Sequence, residues 1–249
     1  MRKYRSRAHD VGGLPHRSGA LSPVGLPDVD RLGACDPCSL GDYLRAAGEY
    51  VRHSHSITKE SKKAAQLRLS SGLARALLHD LQARLPRTRA IAGEVEVSGG
   101  LRTARADVAE FHPLDGLRLA IEIKPINLAV GRAIWNRFGD IRAFAVNIHL
   151  KFPFAVVGGI LTVPTYEEGK AQGRRKPTRQ LVERAVSRFI RAGGRRTEAD
   201  APHLLEAIAV VLYDPDSASL DQEVPPHGQG LRWEEFVPTV ATAYESRFE

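Results

Sequence analysis

The chain is poor in cysteine, methionine and aromatic residues. Of 249 residues two are Cys, one is Met and two are Trp, and Phe, Trp and Tyr together make up 6%. Two cysteines cannot build the disulfide framework on which small secreted domains depend, so reduced thiols are expected. Cys35 and Cys38 form a lone C-x-x-C, which with His53 and His55 makes formally four zinc ligands. Structural zinc sites usually space their paired histidines by three to five residues, so the single residue between His53 and His55 argues against zinc. No apolar run is long enough to span a bilayer, and no membrane partner is expected. Residues 1–7 are basic but lack the apolar core of a secretory signal, which leaves a cytoplasmic location as the expectation. No Gly-rich nucleotide loop and no Ser/His/Asp nucleophile signature stands in its required context; Ser70-Ser71-Gly72 and Gly158-Gly159 lack theirs. Internal repeats are absent.

What remains is ordinary for a globular protein: 43% hydrophobic and 26% charged residues. The length suits one domain with appendages. Residues 1–34, rich in Gly, Pro, Arg and Ser without periodicity, read as a flexible basic arm. Residues 35–249 read as a single domain with its core at about 58–213 and a C-terminal helical extension. Ser39, with Asp42 three residues on, is a plausible N-cap for a helix over 39–52. Leu69, Leu73, Leu77 and Leu81 mark the inner stripe of a long helix from Ser56 or Thr58 to about Leu85, which Pro86 ends. Alternating strands are predicted at 91–97, 103–111 and 117–124. They are followed by a helix over 128–145, an apolar strand at 154–163, an amphipathic helix over 177–192, an apolar strand at 205–213 and a helix over 233–248. This order predicts an α/β layered fold with a mixed central sheet flanked by helices.

Two stretches carry the chemistry: Arg105-Ala106-Asp107-Val108 and Ile121-Glu122-Ile123-Lys124. Period-2 alternation puts Glu122 and Lys124 on one face of their strand, away from Leu117, Leu119, Ile121 and Ile123. It likewise groups Ala104, Ala106 and Val108 against Arg105, Asp107 and Ala109. With a four-residue loop at 113–116, His112 pairs with Leu117 and Asp107 with Glu122. With Gly99-Gly100 as a two-residue turn, Ser98 pairs with Leu101 and Glu94 with Arg105. Glu94 then lies diagonal to Asp107, either as a further carboxylate of the site or as an ion-pair partner of Arg105. Two adjacent carboxylates repel and are costly to desolvate without a cation between them, and Mg²⁺ is commonly held by one or two carboxylates.

Asp107, Glu122-Ile123-Lys124 and the element order over residues 58–213 resemble the PD-(D/E)XK nuclease superfamily, which includes many type II restriction endonucleases. Ala106 stands where the family has Pro. The resemblance implies a restriction-endonuclease-like core. Asp107, Glu122 and the carbonyl of Ile123 would bind Mg²⁺, for which Mn²⁺ can substitute. Lys124 would act on the attacking water, with Glu94 in support, and a first-helix carboxylate, Glu60, sometimes joins. It also implies a homodimer cutting double-stranded DNA, leaving a 5′ phosphate. The alternatives are a repair, recombination or junction nuclease of the same fold, and a non-catalytic DNA-binding protein.

The net charge of +7 is unevenly spread. Residues 170–196 hold ten basic side chains against Glu183 alone, a net +9, which leaves about −2 elsewhere. Only eight of the 36 basic residues are Lys. A preference for Arg over Lys does not account for the clustering, which is the footprint of a polyanion partner. The candidate DNA contacts are Arg174, Arg175, Lys176, Arg184, Arg188 and Arg191. The helix over 128–145, with Arg132, Arg137 and Arg142 outward, is the alternative surface.

Overall fold

The computed structural model describes residues 31–35, 39–169 and 174–249. The arm expected over 1–34 therefore lies outside the described residues except for its end, where Arg31–Gly33 turn and bury Leu32. Helix α1 (Leu40–His53) opens on a capping box, Ser39 and Asp42 each satisfying the other's backbone N–H. Helix α2 (Lys59–Arg84) is capped by Thr58 and buries Leu69, Leu73, Leu77 and Leu81 completely, as their four-residue spacing requires. Each such leucine contributes roughly 2 kcal/mol of transfer free energy.

Strands β1 (Ile91–Ser98), β2 (Thr103–His112) and β3 (Gly116–Pro125) form an antiparallel meander. Helix α3 (Val130–His149) then crosses to β4 (Val156–Pro164), parallel to β3. A small hairpin, β5 (Tyr166–Glu168) and β6 (Arg175–Pro177), precedes α4 (Arg179–Ile190). Strand β7 (Ala207–Asp214) runs parallel to β4, the two-residue β8 (Ser219–Leu220) closes the edge, and α5 (Trp233–Phe248) ends the chain. The six-stranded order β1-β2-β3-β4-β7-β8 is a mixed sheet. The hairpin β5–β6 is not among the predicted elements; its second strand falls within the basic segment.

Helices α1, α2 and α5 share one core with Leu119, Ile121, Ile123, Val156, Ile160 and Ala209 of the sheet. Helices α3 and α4 share the other with Ala106, Ala120, Val157, Leu161 and Val210. The fold is thus α/β/α, and β4 and β7, covered on both faces, are apolar along almost their whole length. Gly158-Gly159 lie inside β4 because both helical layers press on it there. A Cβ would lie 2.7 Å from Phe236 at the first and 2.4 Å from Ile141 at the second.

Candidate functional site

The β2–β3 hairpin reaches the expected alignment by an unexpected route. His112 pairs with Gly116, not Leu117, so the loop has three residues, and Gly116 takes φ 72°. Arg118 then bulges, and pairing resumes as Glu110 with Leu119, Ala109 with Ala120 and Val108 with Ile121. Continued by one residue, this register sets Asp107 opposite Glu122. The bulge also turns Leu117 to the α3 side with Ala120, off the face it was assigned.

The β1–β2 turn corrects the predicted register. Ser98 pairs with Thr103 and Glu96 with Arg105, so the turn spans residues 99–102 rather than two glycines. Its architect is Asn147 of α3. The Asn147 Oδ1 accepts from the N–H groups of Leu101 (2.8 Å) and Arg102 (3.0 Å), and its Nδ2 donates to the Arg102 carbonyl (2.9 Å). A Cβ at Gly99 would sit 2.2 Å from that amide, so the glycine serves close approach rather than a tight hairpin. Farther along, the register shifts again between Ala92 and Val95, where Gly93 adopts φ 141°. Opposite this bulge the alternation of β2 breaks: Ala106 faces the α3–α4 core and Val108 the α1–α2–α5 core. Asp107 sits at the reversal.

There the Asp107 Oδ2 accepts the N–H of Ile123 (2.6 Å), and Ser70 of α2 lies beside its carboxyl and slightly favours its ionised form. Burial raises the Asp107 pKa, and the charge of Glu94 adds to the effect, against the Ile123 N–H, Lys124 and Ser70. Glu122, 7% exposed, is ion-paired with Lys124, whose side chain is 25% exposed. Burial pushes the Glu122 carboxyl up to about 7; Lys124 opposes the shift, while Asp107 and Asp140 reinforce it. Glu122 and Lys124 line a cavity of about 470 Å³ with Glu96, Arg102, Arg105, Asp140 and Asn147. Asp107 does not line this cavity; its carboxyl is turned to the Ile123 N–H and Ser70. Asp107 is tied to β3 through the Ile123 N–H and is a cross-strand neighbour of Glu122, but only Glu122 and Lys124 open onto the cavity.

No protein-family model, curated protein or solved structure matches this chain. The site has to be read from its own chemistry. Among the described residues no group of three or more His, Cys, Asp or Glu side chains is gathered to hold a metal ion. Asp107 and Glu122 are of the oxygen-ligand type that a hard divalent cation prefers, not a closed four-ligand set, but only Glu122 opens onto the cavity. Burial raises both carboxyls, and the charge of Asp107 adds to the shift of Glu122. The zinc array is not assembled among the described residues: Cys35 is buried in the core, and Cys38 lies outside them.

Glu94 joins the site only through its charge. Its carboxylate bonds Arg105 at 2.7 Å although its strand position is not opposite Arg105, and it is 58% exposed. Glu60 is exposed in the first turn of α2, ten residues before Ser70, or roughly 15 Å along the helix. Sequence reasoning missed Ser70, Asp140 and Asn147. Asp140 lies on the outer face predicted for its helix, three residues after Arg137, but no periodicity tells which strand that face meets.

The basic segment divides. Arg174, Lys176, Arg184, Arg188 and Arg191 are exposed, and among the described residues none is ion-paired with a carboxylate. Arg175, by contrast, is clamped by Asp216 (2.6 and 3.1 Å) and stacked on Tyr166 at 4.1 Å. Arg179 is held by Glu183, Asp221 and Glu223. Arg195 is 3% exposed and pairs with Glu206 while donating to the carbonyls of Pro153, Thr197 and Asp200. Linear clustering overstated the available charge, because neighbours in space neutralise three of these arginines.

Proposed function

We propose that this protein is a Mg²⁺-dependent endonuclease of double-stranded DNA, of the PD-(D/E)XK type and similar in action to type II restriction enzymes. The observation that carries the reading is the unit formed by Asp107, Glu122 and Lys124. The Asp107 carboxyl is tied to the backbone of Ile123, the residue between the other two. The element order supports it: a helix, three antiparallel strands, a crossover helix and a parallel strand position the unit at the centre of the sheet.

Asp107, Glu122 and the Ile123 carbonyl would hold the cation, with Mn²⁺ able to replace Mg²⁺. A divalent ion there would supply charge stabilisation to the phosphate oxygens as the bond breaks. Lys124 reaches from a buried ion pair into the cavity, where its ammonium can orient the attacking water and offset the negative charge that develops on phosphorus. The water attacks in line, its proton is lost to solvent, and the 3′ oxygen departs, leaving a 5′ phosphate. Burial raises the Glu122 pKa to about 7, and a cation beside it would favour the ionised form. Cutting both strands of a symmetric site calls for a two-fold dimer.

The test is incubation with plasmid DNA and Mg²⁺. Discrete fragments support the site-specific reading. Nicking restricted to branched or damaged DNA would favour a repair or junction nuclease. Retarded but intact DNA would leave a binding protein, and sedimentation of the DNA complex reports whether two chains act together.

A further inference from the structure

Helices α3 and α4 enclose a second groove, of about 620 Å³, on the side of α3 away from Asp140. It is lined by Trp135, Phe138, Gly139 and Arg142 of α3 and by Arg188, Arg191, Ala192 and His203. Three guanidiniums and an imidazole face it, and among the described residues no acidic side chain lines it. The candidate active-site cavity, in contrast, alternates acid and base.

Two of these arginines sit over aromatic rings. The Arg188 guanidinium lies over the Trp135 ring at 4.5 Å, and that of Arg142 lies over Phe138 at 6.0 Å. Stacking on an aromatic face holds the guanidinium plane and costs it none of its in-plane N–H groups. Neither arginine is ion-paired with a carboxylate among the described residues, so those N–H forks remain available. Phe138 is itself locked edge-on against Phe189 of α4 at 4.8 Å, which ties the two helices together beneath the arginines. At Gly139 a Cβ would find nothing within 4 Å, so the groove is open at its middle. Planar, pre-oriented, uncompensated forks at two points along an open groove match the spaced phosphates of a polynucleotide.

We infer that the α3–α4 groove binds the phosphate backbone of nucleic acid, with Arg142 and Arg188 as its two oriented contacts and Arg191 between backbone and solvent. The choice of nucleic acid rests on the nuclease reading, but the binding does not depend on cleavage. Arg142 and the two aromatic rings come from the helix outside the basic segment, so the surface is built by both helices rather than by residues 170–196 alone.

The experiment measures the affinity of the full chain for a short labelled DNA duplex in EDTA over a range of salt concentrations. Arg142→Ala with Arg188→Ala should flatten the dependence of log affinity on log salt by about 1.8, or roughly 0.9 for each phosphate left without its arginine. Arg87→Ala with Arg89→Ala, which removes the same charge from exposed positions outside the groove, should change it by less than half as much. Arg188→Lys should keep nearly the wild-type slope yet bind more weakly, because an ammonium cannot reproduce the stacked fork. Arg142→Gln with Arg188→Gln repeats the first test should the alanines disturb folding. An unchanged slope in both double variants, or an equal drop in the control, would overturn the proposal. So would pyrophosphate binding that requires Arg142 and Arg188 while DNA binding does not, which would make the groove a site for a small phosphorylated ligand. Lys124→Ala separates the two readings: it should stop cleavage and leave this binding intact, and binding abolished only in the groove variants would stand even if no cleavage is ever found.

Discussion

Replacing Glu122 by Gln should remove a pH-dependent cost that the folded protein carries without a cation. The Glu122 carboxyl ionises at about 7 in the folded chain against an ordinary 4.5, chiefly because it is buried. An acid whose pKa is raised on folding binds its proton more tightly in the native state. Its contribution to stability is therefore intact below pH 4.5 and is lost progressively as pH rises through about 7. The gap corresponds to roughly 3 kcal/mol by the time the group is fully ionised. At 7% exposure little of this is screened by solvent. Glu122→Gln is isosteric, cannot ionise, and leaves Lys124 able to reach water. Denaturant unfolding of both proteins in EDTA, from pH 4.5 to 8.5, isolates the residue because every other titration cancels in the difference. The wild-type should lose roughly 3 kcal/mol more than the variant across that range. Adding Mg²⁺ at pH 8 should restore most of the loss to the wild-type and little to Glu122→Gln. Parallel stability curves for the two proteins would refute the reasoning, since they would mean that Glu122 is solvated or already compensated.

If the nuclease proposal holds, Asp107→Asn and Lys124→Ala should each abolish cleavage while far-UV dichroism and thermal unfolding stay near wild-type; a Lys124→Ala protein that cuts at close to the wild-type rate would refute the assignment. Glu94→Gln should cost less than about 1 kcal/mol, since it breaks one exposed ion pair, and should slow cleavage far less than Asp107→Asn in the same assay. Asn147→Ala should destabilise by roughly 1–3 kcal/mol, lowering Tm by several degrees in calorimetry, because it strips three hydrogen bonds from the residues 99–102 turn. Arg175→Ala should leave the salt dependence of DNA binding unchanged, its guanidinium being spent on Asp216 and Tyr166.

Local pattern alone determined the main helices and strands, though not the short β5, β6 and β8. Leucines every four residues dictate the buried face of α2, Ser39 and Asp42 start α1 by a purely local exchange of hydrogen bonds, and the alternation over 117–124 makes β3 a strand with Glu122 and Lys124 on its non-aliphatic face. These features depend on contacts within one turn or one strand, so the sequence contains them whole. Register was different. The alignment of Asp107 with Glu122 was anticipated from a four-residue loop, but arises from a three-residue loop plus a bulge at Arg118, two departures that cancel. The Glu94–Arg105 alignment was wrong because Asn147, more than forty residues downstream, holds the intervening turn open. Charge followed the same division. A cluster of arginines is visible in sequence, yet whether each is available depends on carboxylates brought from the residue before β7 and from the segments that follow it, as with Glu206, Asp216 and Glu223. The raised pKa of Glu122 also belongs to the tertiary structure alone. Desolvation measures how completely α3 and the neighbouring strands exclude water from a side chain, and no stretch of sequence encodes that by itself.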